Sequence, residues 1–243
     1  MDWLLALVAA PFAGSFLGVL VRRLPAGRPV AAARSECEAC GTPLAPRDLV
    51  PLLSYAASGG RCRHCGAPIA AFHPAIELAA VAVAASAAVV APGPAWLCAS
   101  CVLGWGLLAL AWIDAGHMRL PDALTLPLVV LGLGAAWWLE PDALAERSAA
   151  AVAGYALFRA VSLGYRRWRG REGLGAGDAK LLAAAGAWVG LEGLPSVMLT
   201  AALLGLCGAV LLPRPAGARL RDMPIPFGPS LAVATWLVRL WTA

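Results

Sequence analysis

Residues 3–21 read WLLALVAAPFAGSFLGVLV and contain no charged side chain, so this stretch is long enough to cross the ~30 Å hydrocarbon core of a bilayer as a helix. The chain of 243 residues is 60% hydrophobic and 14% charged, whereas soluble domains carry about 25% charged residues. Further apolar stretches follow at about residues 74–91, 95–113, 122–139, 147–165, 179–191, 195–212 and 228–242. The sequence therefore predicts an all-α polytopic membrane protein with about eight transmembrane helices.

The apolar stretches divide the chain into three predicted parts. Residues 1–21 form a first transmembrane helix, residues 22–73 a polar insertion, and residues 74–243 a core of seven further helices. The first helix resembles a signal peptide in length. It lacks a basic amino-terminal region and a clear cleavage site, so we expect it to be retained.

Arginine and lysine are distributed unevenly between the predicted helices. Most of the 19 basic residues lie in or beside the first, third, fifth and seventh connections, whereas residues 91–95 and 190–195 contain none. Basic residues concentrate on the cytoplasmic side of membrane proteins, so these odd-numbered connections are predicted to be cytoplasmic. The net charge of +5 does not indicate nucleic-acid binding, because the basic residues form no stripe with interleaved aromatic residues.

Four cysteines in the insertion form two CxxC knuckles, Cys37-Glu-Ala-Cys40 and Cys62-Arg-His-Cys65. Paired knuckles of this kind present four thiolates to one tetrahedral zinc ion. Because four sulfur ligands leave no open position for water, Cys37, Cys40, Cys62 and Cys65 predict a structural zinc in a small ribbon-like insertion. A pair of disulfides is the alternative, which a reducing cytoplasm disfavours.

Four of the carboxylates within or beside the predicted spans stand out, namely Glu77, Asp114, Asp122 and Asp178. An ionised group at the centre of a span costs roughly 2.5–3.5 kcal/mol, so each invites a functional interpretation. Asp114 closes the third span and Asp178 opens the sixth after Gly175-Ala-Gly, which predicts that both lie at cytoplasmic helix ends. Two such carboxylates in contact share a proton, and together they activate a water and protonate a carbonyl.

Each aspartate, taken alone, also has an interpretation without a catalytic role. Asp178 after a glycine turn is compatible with a helix cap, and Asp114 is compatible with a solvated helix end. Asp122 follows a proline and is best interpreted as a first-turn acid that favours the helix dipole.

Short motifs accompany these residues in order along nearly the whole chain. They are Gly14-Ser-Phe16, the two knuckles, Asp48-Leu-Val-Pro-Leu-Leu-Ser-Tyr55, Gly60-Arg-Cys-Arg63, His73-Pro-Ala-Ile-Glu77, Ile113-Asp114, Leu120-Pro-Asp122, Gly175-Ala-Gly-Asp-Ala-Lys180 and Pro226-Phe-Gly-Pro229. On these motifs the sequence resembles the type IV prepilin leader peptidases, membrane aspartyl enzymes of the GxGD class. Gly18 and His73 depart from the residues usual in that family, which are Asn and Tyr.

The resemblance implies that Asp114 and Asp178 are the catalytic pair. It implies a substrate, the leader of a type IV prepilin or type II secretion pseudopilin, which is cut after a glycine at the cytoplasmic face of the bacterial inner membrane. It further implies that S-adenosylmethionine supplies a methyl group to the new amino terminus. The implied partners are the pilin substrate and the lipid bilayer, without nucleic acid, and no oligomeric state is implied.

Two other functions are compatible with aspartates at membrane depth. In a transporter, Asp114 and Asp178 would relay protons or cations, and broken helices suit that function. The cysteine insertion and the Gly-x-Gly-Asp motif do not favour it. A scaffold subunit of a secretion apparatus, with an inert aspartate pair, is the other alternative.

Overall fold

The computed structural model describes residues 2–30, 34–170, 174–211 and 226–242. Within these ranges the chain is α-helical and has no strand beyond two isolated bridge pairs. The helices are α1 (Asp2–Arg23), α2 (Leu53–Ala57), α3 (Phe72–Val90), α4 (Pro94–His117), α5 (Asp122–Leu139), α6 (Leu144–Arg169), α7 (Ala176–Leu211) and α8 (Gly228–Trp241), with 3-10 turns at Pro46–Leu49 and Pro141–Ala143.

Five helices in the described ranges are long and apolar enough to cross a membrane, namely α1, α3, α4, α5 and α7. This confirms the prediction of an all-α polytopic membrane protein. The predicted number of eight spans is not confirmed, because α6 carries charged residues towards both ends and α8 has only 14 residues.

The predicted helices at 179–191 and 195–212 are not separated by a loop. They belong to the single element α7 of 36 residues, which departs from helical geometry at Gly190 with φ 74° and ψ −177°. Glycine adopts this conformation without the clash that a Cβ would cause. Two helical segments therefore meet at Gly190, near the predicted boundary, but the break takes one residue and not the few residues expected.

The chain forms two compact units, Met1–Ala109 and Leu110–Ala243. In the first unit α1 packs along α3. Their closest approach is at Gly14, where a Cβ would lie 2.6 Å from the Cα of Glu77. A small residue is needed for this packing, as is usual between membrane helices.

In the second unit α7 packs against α5, α6 and α8, and it is the most central helix. Its contacts with α6 are close, since a Cβ at Gly154 would lie 2.7 Å from the carbonyl oxygen of Leu182. Glycine and alanine therefore set the spacing of this bundle, and α7 carries Asp178 at its amino end.

Candidate functional site

Asp114 lies three residues before the end of α4 and is 6% exposed. Its Oδ2 accepts a hydrogen bond of 2.9 Å from the backbone N–H of Gly228, the first residue of α8. A helix amino terminus presents free N–H groups and partial positive charge, so α8 stabilises the ionised carboxylate. A Cβ at Gly228 would lie 2.6 Å from Oδ2, which explains why a glycine is needed there.

Asp178 is the third residue of α7 and is 9% exposed. Its Oδ2 accepts a hydrogen bond of 3.0 Å from the backbone N–H of Gly175, so the side chain satisfies a donor that precedes the helix. The same turn is fixed from α6, because Oγ of Ser162 donates to the carbonyl oxygen of Leu174 at 2.9 Å. The capping interpretation of Asp178 thus describes one of its contacts and leaves a second role open.

The structure brings Asp114 and Asp178 together in the second unit. Their carboxyl groups are close enough to interact electrostatically, and both are buried. Each is oriented by a backbone N–H that binds its Oδ2. Two buried carboxyl groups in mutual range are the arrangement in which one proton is shared and acid and base roles are divided.

Gly177 leaves room for a neighbouring side chain. A Cβ at this position would lie 2.8 Å from the Cβ of Leu120, which precedes α5. The missing side chain therefore accommodates Leu120 and lets the segment between α4 and α5 approach the start of α7.

Asp122 lies outside the aspartate pair. It is the first residue of α5, its side chain is 58% exposed, and its Oδ1 lies 2.5 Å from Nζ of Lys180 on α7. This ion pair joins the starts of α5 and α7. Its position agrees with a first-turn acid.

Glu77 on α3 has a contact that the sequence did not indicate. Its Oε2 accepts a hydrogen bond of 2.7 Å from the backbone N–H of Leu52. Leu52 has a φ of 58°, which is an unfavourable conformation for a residue with a side chain. Glu77 therefore anchors the insertion to α3. The sequence signals for it were the cost of a carboxylate in a predicted span and its place in the His73–Glu77 motif.

The four insertion cysteines form one cluster in the first unit. All four sulfur atoms lie within 4.8 Å of one another, and none of the seven cysteines is in a disulfide. The Sγ atoms of Cys37 and Cys65 are 3.9 Å apart, close to the ~3.8 Å expected between two sulfurs that bind zinc at about 2.3 Å in a tetrahedron. The donor set and its spacing fit a structural zinc.

The two knuckles have the same local geometry. Gly41 donates to the carbonyl oxygen of Cys37 at 2.8 Å, and Gly66 donates to that of Cys62 at 2.9 Å. Both glycines have a positive φ, of 68° and 73°, which the tight turn requires. In the first knuckle, hydrogen bonding with Thr42 lowers the pKa of Cys40 to about 6, whereas desolvation and the neighbouring cysteines raise the pKa of Cys65 to about 11.

Matches to known proteins extend over most of the chain. Residues 101–210 match the type IV leader peptidase family, and residues 8–91 match the bacterial peptidase A24 N-terminal domain. A prepilin leader peptidase/N-methyltransferase of Aeromonas hydrophila is 41% identical over 212 residues, which are 86% of this chain and 71% of the relative. No solved structure matches significantly.

Two further relatives carry the same name. The Pseudomonas aeruginosa protein is 37% identical over 252 residues, covering 94% of this chain and 86% of the relative. The Burkholderia pseudomallei protein is 41% identical over 259 residues, covering 96% of this chain and 83% of the relative. The resemblance seen in the motifs is thereby confirmed, and this chain belongs to the type IV leader peptidase family.

Proposed function

We propose that this chain is an intramembrane aspartyl endopeptidase that removes the leader of type IV prepilins or type II secretion pseudopilins. Cleavage follows a glycine at the cytoplasmic face of the bacterial inner membrane. The observation that carries the proposal is the buried, interacting pair of Asp114 and Asp178. Family membership supports the same substrate class, since the relatives are named for prepilin leader cleavage.

In the proposed mechanism the two carboxyl groups hold one proton between them. The ionised group takes a proton from a water, whose oxygen attacks the scissile carbonyl carbon, while the protonated group donates to the carbonyl oxygen. The tetrahedral intermediate then collapses, the C–N bond breaks, and the departing amine receives a proton. The N–H groups of Gly228 and Gly175 orient the carboxyl groups for these transfers.

The new amino terminus is the substrate of the second proposed activity, N-methylation. The relatives' shared name supports this activity. S-adenosylmethionine would supply the methyl group, which the amine nitrogen takes with release of the sulfonium sulfur as a thioether and loss of one proton from nitrogen. No residue of this chain is assigned to methyl-donor binding.

Zinc is the proposed structural metal of the insertion, held by Cys37, Cys40, Cys62 and Cys65. An insertion of this size with few large apolar residues has a small core, so metal binding would supply much of its folding free energy.

The proposal is tested with protein purified in detergent and a purified prepilin, without other proteins. We expect cleavage after the leader glycine, seen by mass spectrometry. A transporter or an inert scaffold predicts no cleavage under these conditions, so an intact prepilin would overturn the proposal. Added S-adenosylmethionine with a labelled methyl group should label the new amino terminus.

A further inference from the structure

The break of α7 at Gly190 creates unpaired backbone groups within the second unit. The last carbonyl groups of the segment 176–189 and the first N–H groups of the segment 191–211 have no partner within their own helices. Trp188 and Gly190 are buried, so backbone groups at the break have little access to water and need partners from the protein. The contacts made by neighbouring residues of α6 meet this need.

Glu146 and Arg147 of α6 bind the two sides of the break. Arg147 donates from Nη1 to the carbonyl oxygen of Trp188 at 2.6 Å, and Oε1 of Glu146 accepts a hydrogen bond from the backbone N–H of Leu191. The cation thus lies at the negative end of one helix dipole and the anion at the positive end of the next. Two consecutive residues therefore cap both halves of α7.

The conformation and size of Gly190 fit this arrangement. A Cβ at residue 190 would lie 2.8 Å from both carboxylate oxygens of Glu146, so glycine is needed for the contact as well as for its φ of 74°. Arg147 also forms an ion pair with Glu140, and Arg239 of α8 interacts electrostatically with both. The charges around the break are therefore balanced.

The same helix α6 holds the opposite end of the half-helix that carries Asp178. Ser162 binds the carbonyl oxygen of Leu174 just before α7 begins. Arg147 and Ser162 are separated by ~23 Å along α6, and Trp188 lies ~18 Å along α7 from its first residue, Ala176, at 1.5 Å per residue. Helix α6 thus spans the whole half-helix and binds it at both ends.

We propose that Glu146 and Arg147 are remote positioning residues for the peptidase reaction. By fixing where α7 breaks, they set the axial position of residues 176–189 and hence the distance of Asp178 from Asp114. This inference rests on the proposed peptidase function. It assigns neither residue a contact with the substrate.

The test compares Glu146→Leu and Arg147→Lys with Glu192→Leu, whose exposed side chain lies just beyond the break. Glu146→Leu removes the acceptor for the Leu191 N–H, which a glutamine would keep. We expect kcat for prepilin cleavage to fall about 10- to 100-fold in the first two variants, because a displacement of the Asp178 carboxyl by about 1 Å has an effect of this size. KM should be unchanged. The control should cleave as the wild type does. Arg147→Lys should retain more activity than Arg147→Met, because lysine keeps the positive charge. It should be less active than the wild type, because lysine lacks the planar fork that reaches two acceptors.

The shape of the pH–rate profile separates positioning from folding. Carboxyl groups that share a proton ionise in two steps with two apparent pKa values, and these pKa values approach each other when the groups move apart. The profiles of Glu146→Leu and Arg147→Lys should therefore be narrower than that of the wild type, whereas a smaller folded fraction scales all rates equally.

The outcomes of this test distinguish failure of the inference from failure of the proposed function. Wild-type kcat and profile width in both variants would overturn the inference and leave the peptidase proposal intact. Variants that never accumulate as folded protein would also overturn it, since the residues would then serve folding alone. If the wild-type protein itself fails to cleave prepilin, the proposed function fails first.

Discussion

The backbone N–H of Gly228 donates a hydrogen bond of 2.9 Å to Oδ2 of Asp114, across 114 residues of sequence. A Cβ at residue 228 would lie 2.6 Å from the same oxygen. The start of α8 therefore holds a carboxylate of the candidate site by a contact that only glycine permits.

Changing Gly228 to alanine should impair cleavage without unfolding the protein. The backbone at this residue is compatible with alanine, since its φ is not positive, so the cost falls on the displaced Asp114 carboxyl. We expect kcat to fall about 10- to 100-fold. Gly208→Ala is the matched control, because a Cβ at Gly208 meets nothing within 4 Å. Equal rates for both variants would show that the contact is dispensable.

Zinc content tests the cysteine cluster. The purified protein should contain about one zinc per chain, and Cys62→Ser should lose it and expose the insertion to proteolysis. Cys207→Ser, a change at an exposed residue of α7, should keep the metal. Elemental analysis makes the measurement. Fully active protein that contains no metal would exclude the structural zinc.

The two proposed activities should separate. Asp178→Asn removes a group that the proposed mechanism uses for peptide hydrolysis but none assigned to methyl transfer, so it should still methylate a pilin whose leader has been removed beforehand. The measurement is transfer of a labelled methyl group to that pilin. If the wild-type protein transfers none, the chain is a peptidase only, and Gly18 and His73 become the residues to restore to Asn and Tyr.

Close packing around Trp188 should govern stability. Its Nε1–H donates to the carbonyl oxygen of Leu128 at 2.8 Å, and a Cβ at Gly132 would lie 2.7 Å from Nε1. Gly132→Ala should therefore destabilise the protein by about 1–3 kcal/mol, as overpacking does. Thermal unfolding in detergent measures the change. Gly134→Ala lies two residues further on in open space and should show no loss, so a similar loss in both would indicate a general effect on α5.

Helix positions and the cysteine cluster could be predicted, because they depend on local sequence patterns. The helix α5 was expected at 122–139 and is found at Asp122–Leu139, and the CxxC spacing predicted a cluster that the structure contains. Contacts between distant residues were not predictable. A Gly-Leu-Glu-Gly-Leu-Pro stretch from residue 190 has the composition of a connection. The helix nevertheless resumes after one residue, and Glu146 and Arg147, more than 40 residues away in sequence, bind the backbone on both sides of the break.

The same limit applies to the candidate site. Motifs singled out Asp114 and Asp178, but the partners that orient them, Gly228 and Gly175, depend on the tertiary structure and the turn geometry. The role of Glu77 was missed for the same reason, because its partner is a backbone N–H in the insertion.

The roles of Asp114 and Asp178 are tested most directly by prepilin cleavage with Asp114→Asn, Asp178→Asn and Asp122→Asn, matched for expression and thermal stability. Asparagine is nearly isosteric and its Oδ1 still accepts the backbone hydrogen bond, so capping survives while proton transfer does not. Asp114→Asn and Asp178→Asn should each lower the rate by about 10²–10⁴-fold, and Asp122→Asn should retain most activity. Near-normal cleavage by either Asp114→Asn or Asp178→Asn would contradict the catalytic pair.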